Sequence, residues 1–387
     1  MEINRAKALK ILNSNSNFTV RVVLNTDKGV FRGSSPAGES TSKYEVTPFG
    51  EEVDKEIGKF NDFLKTLIGK KMESMDDIYS LEKVMPEEFV GGPSLSLSYA
   101  LLYGLSADKG VEPYELFGAK KNVIPVCKMM GGGMHASDLG MDIQEILVMT
   151  MSDKTQDSVE STLAVYKELK ELLKQSTHSF LGGVDPEGGF ISGLDNYESL
   201  KIVKKAVDRV IKNTGSDIRL GIDMAASTFF KDGKYTYKKP LYGKKEISKE
   251  EQIELVKRLE SEFDLYYIED PVDETLISDY GEVLKGSKAL VVGDDVTATK
   301  VERLEKARGN INATLIKPNQ VGLLYQVKEY SDLSDKLGLV KVVSHRSEET
   351  NTPIIADLAL GLNAKYLKVG INRGERVEKI NRLLETC

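Results

Sequence analysis

Tryptophan is absent from this chain, histidine occurs three times and cysteine twice. The missing tryptophan excludes nothing, but the other shortages do. Cys387 is the last residue and Cys127 sits in an apolar segment, so no disulfide framework is expected. That pattern suits a reducing, cytoplasmic location. His135, His178 and His345 form no HxxxH or HxH pair, which points away from a histidine-built zinc site. No run approaches the ~20 apolar residues of a membrane span. The opening MEINRAKALKILNSNSN lacks the apolar stretch of a signal peptide. The formal charge of −7 argues against a nucleic-acid-binding surface. No solenoid-length repeat and no low-complexity linker interrupts the chain.

A length of 387 residues suits two domains. Residues 1–121 read as α+β. TVRVVLNTDKGVFRGSS has two alternating strands around a turn at Asp27–Gly29, followed by the small-residue loop SPAGESTSKYE. Val53, Ile57, Phe60, Leu64 and Leu67 are spaced for an amphipathic helix over 51–68. GGPSLSLSYALLYGLSADKG is a more buried helix closed near Gly110. Residues 122–387 read differently. NVIPVCKMM and QEILVMTM are strand candidates separated by GGGMHAS, and helices are predicted over 157–175 and 196–213. From Ile218 strands and helices alternate to the end, with a capping box at Ser248 and Glu251. The expected fold class is α/β, a (β/α)8 barrel behind an N-terminal α+β part.

Charged residues close the apolar runs: Asp223 ends IRLGID, Glu269 and Asp270 end LYYIED, and Asp294 and Asp295 end ALVVGDD. Lys317 ends ATLIK, His345 and Arg346 end VKVVSHR, and Lys368 ends KYLK. In a barrel those ends converge on one mouth, where active sites are built. Asp223, Glu269 and Asp294 held together repel unless a cation sits among them, and all-oxygen ligation suits Mg²⁺ or Mn²⁺. Taken singly, each acid also suits a helix cap. A partly desolvated lysine near a metal has a lowered pKa and suits a general base, whereas a lone strand-end lysine suits snorkelling. Arg346 and Ser347, just before a predicted helix, suit a phosphate grip as well as a cap. Glu187, in DPEGGF, and Glu145, opening a strand, each suit a general acid, and His135 reads by default as a loop histidine.

Read together, the segments resemble the enolase (phosphopyruvate hydratase) family over nearly the whole chain. GVFRGSSPAGESTSKYE is similar to the family's loop with an SGAST core, and GGGMHA to NGGSHA. IQE, EGG, GIDMAAS, YIEDP, VGDD, LIKPNQVG and SHRSEET follow in family order, and RGERVEKINRLL is similar to RSERxxKxNQLL. The resemblance implies an N-terminal capping domain and a barrel that opens ββαα. It implies a homo-oligomer, dimeric or larger, acting on a small phosphorylated carboxylate. The implied reaction is dehydration of 2-phosphoglycerate with two Mg²⁺, the second bound with substrate. By resemblance Asp223, Glu269 and Asp294 hold the first ion and Ser40 helps hold the second. Lys317 takes the C2 proton, and Glu187, supported by Glu145, protonates the leaving hydroxyl. His135, His345, Lys368, Arg346 and Ser347 contact substrate, Arg346 and Ser347 at its phosphate.

The chain also departs from the pattern. DSRGNPTVE appears as NSNSNFTVR, with Asn15, Ser16, Phe18 and Arg21 at the changed positions. Pro186 replaces the acid of DEGG, one residue after Asp185. Thr228 replaces the glutamate of ASEF, and Glu348 the glycine of SHRSGET. These changes leave open a related lyase or epimerase on another carboxylate, or a non-catalytic relative.

Overall fold

The computed structural model describes residues 1–39, 41–47, 53–118, 122–136, 140–176 and 180–386. Three antiparallel strands come first: β1 (Ile3–Leu12), β2 (Phe18–Thr26) and β3 (Gly29–Ser34). β2 and β3 are the expected pair around Asp27–Gly29. β1 was not foreseen, because INRAKALKIL is rich in helix formers and its pairing with β2 overrides that preference. Helices α1 (Val53–Lys65), α2 (Met75–Lys83) and α3 (Gly92–Lys109) complete this part. Ile57, Phe60, Leu64 and Leu67 are buried, as their spacing predicts. α3 is buried along most of its length and closes on the left-handed Gly110. β3 lies so close to α3 that a side chain at Gly33 would sit 2.1 Å from the Ser96 carbonyl.

The barrel strands are β4 (Ile124–Gly131), β5 (Glu145–Thr150) and β6 (Ile218–Asp223), with helices α4 (Thr155–Ser176) and α5 (Asn196–Thr214) between β5 and β6. This is the ββαα opening. A small sheet follows, β7 (Phe230–Lys231), β8 (Lys234–Thr236) and β9 (Glu246–Ile247), then α6 (Lys249–Phe263), capped by the Ser248–Glu251 box. Five regular units complete the ring: β10 (Leu265–Glu269) with α7 (Ile277–Leu284), β11 (Leu290–Gly293) with α8 (Val301–Ala307), β12 (Ala313–Ile316) with α9 (Leu324–Lys336), β13 (Val340–Ser344) with α10 (Ile354–Gly361), and β14 (Tyr366–Gly370) with α11 (Gly374–Glu385). The closed order is β10-β11-β12-β13-β14-β4-β5-β6. β5 runs antiparallel to both neighbours, and the other pairs are parallel.

Strand alternation decides which side chains fill the barrel. Ile124 and Val126 point in and Cys127 out. Leu147 points in and Val148 out, and Tyr366 points in and Leu367 out. Carried to the mouth, the same parity turns Lys128, Glu145, Asp223, Glu269, Ser344 and Lys368 inward from their strands, and Asp294 and Lys317 inward one residue beyond β11 and β12. Glu145 joins them because β5 is reversed, so its first residue pairs with Asp223 at the last position of β6. No helix among the described residues is long and apolar enough to cross a membrane.

Candidate active site

The mouth loops hold unusual backbone. Ala225, Asp270, Ala298, Thr299 and Arg373 all have positive φ, a conformation that non-glycine residues adopt at a cost and that collects at functional sites. Asp270 shows what one of these bends does. Its Oδ1 accepts from the Asp294 amide at 3.1 Å and its Oδ2 from the Asp295 amide at 2.8 Å. Asp270 thus braces the end of β10 to the loop after β11 and aims Asp294.

Asp223 and Glu269 stand side by side on paired strands, with Lys368 Nζ between them at 2.8 Å and 2.7 Å. Asp294 is one strand further, paired with Lys317 Nζ and 3.2 Å from Gln320 Nε2. Burial together with Asp223 and Asp294 pushes the Glu269 carboxyl well above its usual range. Burial raises Asp223 too, but Lys368 more than offsets it and the net shift is downward. Carboxylates outnumber lysines here: Glu269 shares Lys368 with Asp223, and its other oxygen accepts from the Tyr267 hydroxyl at 2.6 Å. Among the described residues the buried Gln144 Oε1 and Glu145 Oε2 have no hydrogen-bond partner. Surplus buried carboxylate with unpartnered oxygens fits a hard divalent cation. Asp223, Glu269 and Asp294 are the ligands expected from the sequence. Among the described residues the groups whose ligand atoms come within 4.8 Å of one another are instead Asp270, Asp294 and Asp295, and His135, Glu145 and Glu187. The expected set shares only Asp294 with the first of them. Ser40 lies outside the described residues.

Lys317 differs from expectation. Burial acts to lower its pKa, but Asp294 outweighs burial and the pKa lies above the ordinary lysine value. A direct ion pair explains the reversal, and a cation that engaged Asp294 would weaken it.

Glu187 and His135 meet at a residue that the sequence reading passed over. Lys128, from β4, is fully buried, with Nζ 2.7 Å from Glu187 Oε2 and 2.8 Å from His135 Nδ1. Burial raises Glu187, but His135, Lys128, His345 and Arg376 more than offset it, leaving its pKa well below the ordinary value. Burial lowers both histidines' pKa, whereas the carboxylates around Lys128 hold its pKa above the ordinary value. Glu145 behaves oppositely. Burial lifts it to about 8 although Lys128 and Lys368 pull the other way. The resting proton therefore sits on Glu145. Asp185, next to Pro186, still faces the site, with Oδ2 2.7 Å from Lys128 Nζ. His345 Nε2 lies 3.9 Å from Glu187 Oε1, and among the described residues neither of its ring nitrogens has a hydrogen-bond partner.

Arg346 and Ser347 follow β13, but no helix begins there. α10 starts at Ile354, beyond Pro353, so the expected helix N-terminus is not beside them. The loop is held from below instead. Arg376 of α11 donates to the Arg346 and Ser347 carbonyls at 2.8 Å, and Lys379 pairs with Glu349 at 3.0 Å. From above, Arg346 Nη1 meets Glu45 Oε2 and Asn319 Oδ1, each at 2.9 Å, and Ser347 Oγ accepts from the Glu39 amide at 2.8 Å. The N-terminal segment thus covers the mouth, and the space left between His135, Glu145, Glu187, Lys317 and Lys368 is about 10 Å³. A cleft of about 870 Å³ between α1, α2 and α9 has Glu45 in its lining but none of the mouth's lysines. The chemistry points to the smaller space.

The family model for the enolase C-terminal TIM barrel domain matches residues 121–386. The chain belongs to the enolase family. It is 33% identical to the enolase of Methanothermobacter thermautotrophicus over 99% of this chain and 95% of that one. It is 32% identical to the enolase of Pyrobaculum aerophilum over 99% and 96%, and 30% identical to that of Thermoplasma acidophilum over 100% and 99%. Enolase-family membership makes the chain an enzyme of the carbon–oxygen lyase class.

One departure, Glu348, touches the turn that carries others. Glu348 Oε2 accepts from Asn13 Nδ2 at 2.8 Å and its Oε1 from Asn17 Nδ2 at 2.7 Å. The altered N-terminal turn and the altered SHRSEET loop therefore form one contact. Thr228 donates its hydroxyl to the Ala225 carbonyl at 2.8 Å, a bond that a glutamate carboxylate cannot make.

Proposed function

We propose that this chain dehydrates 2-phosphoglycerate to phosphoenolpyruvate with two Mg²⁺. One observation carries the reading. In the ring of eight strands β12 and β5 are four steps apart, so Lys317 faces Glu145 across the mouth, with Glu187 on the Glu145 side. A base and an acid on opposite faces of a substrate suit removal of a proton from one carbon and hydroxide from the next. Lys317 takes the C2 proton once Asp294 releases its ammonium and a proton leaves it. Glu187 and Glu145 act as one acid pair that delivers a proton to the departing hydroxyl. His135, His345 and Lys368 orient the substrate, and Arg346 with Ser347 takes its phosphate after Glu45 yields. When bound, divalent cations would supply positive charge where the carboxylate becomes an ene-diolate, the pattern of the enolase superfamily. Residues 1–121 form the capping domain and 122–387 the barrel domain of a cytoplasmic homo-oligomer, dimeric or larger, an arrangement that rests on the family resemblance.

The test is absorbance of phosphoenolpyruvate formed from 2-phosphoglycerate, with and without Mg²⁺. Formation that depends on Mg²⁺ is expected. No formation by well-folded protein, with turnover of a phosphate-free hydroxy acid instead, would replace this substrate with another carboxylate.

A further inference from the structure

Lys128 sits at the centre of the acid side, and no motif in the chain marks it. An ammonium has three N–H donors and no acceptor. Lys128 Nζ has three close neighbours: Glu187 Oε2 at 2.7 Å, Asp185 Oδ2 at 2.7 Å and His135 Nδ1 at 2.8 Å. Glu145 Oε1 stands further off at 3.8 Å. Burial alone works against the charge, yet Asp185, Glu145 and Glu187 together hold the lysine's pKa above its ordinary value.

Each contact constrains something different. Asp185 Oδ1 accepts from the amides of Glu187 at 2.8 Å and Gly189 at 3.0 Å, so it shapes the turn that presents Glu187. Gly188 in that turn has φ +89°, and a side chain there would sit 2.9 Å from the Asn372 carbonyl. Lys128 ties this turn to β4 through the other Asp185 oxygen. On His135, a nitrogen that accepts from an ammonium carries no proton, so the imidazole proton is on Nε2. Without Lys128, the next neighbour of Nδ1 is Glu187 Oε2 at 3.5 Å, which needs a donor.

We propose that Lys128 is the positioning residue of the acid side: it holds Glu187 by Oε2 and His135 by Nδ1, leaving Glu187 Oε1 and the His135 Nε2–H for the substrate. The inference deepens the dehydration reading and its kinetic arm rests on it. A buried lysine that only balances charge would set neither the tautomer nor the acid step alone.

Nitrogen NMR on ¹⁵N-histidine protein tests the tautomer without any substrate. The chain has three histidines, and His135→Asn assigns the signal. The native protein should show His135 protonated on Nε2. Lys128→Met should move the proton to Nδ1, and Lys128→Arg, which keeps a donor, should retain the native form. A native Nδ1–H tautomer, or no change in Lys128→Met, overturns the proposal, and the native measurement decides even if the variants fail to fold. In turnover, Lys128→Met should lose about 100-fold in dehydration, the lower end for a general-acid contribution, while exchange of the C2 proton stays within about threefold because Lys317 is untouched. Equal loss of both also overturns it. If the native enzyme forms no phosphoenolpyruvate, the dehydration reading fails and the NMR result alone decides the role of Lys128.

Discussion

Replacing Glu348 by glycine tests how the chain's departures from the family pattern work together. Glu348 accepts from Asn13 and Asn17 at 2.8 Å and 2.7 Å. Its backbone also exchanges hydrogen bonds with Ala37, at 2.9 Å and 3.1 Å. The backbone bridge survives the substitution, and the two side-chain bonds do not. A net hydrogen bond contributes roughly 0.5–1.5 kcal/mol. Both bonds are at least partly exposed, so the expected loss is about 1–2 kcal/mol in all. Thermal melting should fall by a few degrees. A double-mutant cycle with Asn13→Ala should show a coupling of roughly 0.5–1 kcal/mol. The carboxylate points at the asparagines and not into the mouth, so the Michaelis constant for 2-phosphoglycerate should stay within about twofold. A tenfold gain in affinity, about 1.4 kcal/mol, would show that Glu348 repels phosphate and would refute this reasoning. Additive effects of the paired mutations would refute the contact.

Two further outcomes follow from the charges. Asp294→Ala removes a proposed cation ligand and the partner of Lys317, so Mg²⁺-dependent activity and Mg²⁺-dependent thermal stabilisation should be lost together; persistence of either separates Asp294 from the cation. Glu145, lifted to about 8 by burial, is neutral below that pH and ionised above it, so dehydration should fall about tenfold per pH unit above it, and Glu145→Gln should abolish that limb. The same shift opposes folding as pH rises from the ordinary carboxyl value of ~4.3 to about 8, because over that window only the unfolded form releases the proton.

Much of the site was legible because strand periodicity and charge coincide. Asp223 and Glu269 end strands whose alternation aims them inward, Lys368 shares that parity within β14, and Asp294 and Lys317 continue the alternation just past their strands. Lys128 was passed over because IPVCKMM reads as apolar, although Ile124, Val126 and Lys128 share one parity and a lysine facing into a barrel needs partners. Arg376 and Lys379 were placed in a family motif without a role, since their contacts with the SHRS loop join residues about 30 apart. The helix expected behind Arg346 begins only after Pro353, at Ile354, about two turns further along. α2, nine residues long, is too short for a strong helical period, although Ser74 and Asp77 form its capping box. The pKa of Lys317 could not be read from sequence because its sign depends on one side-chain contact with Asp294.

The most direct test of a base and an acid on opposite faces compares two variants on one substrate labelled with tritium at C2. Lys317→Ala should release no label and form no phosphoenolpyruvate. Glu187→Gln should keep releasing label while forming no phosphoenolpyruvate. Loss of label release to the same degree in both variants would contradict the assignment.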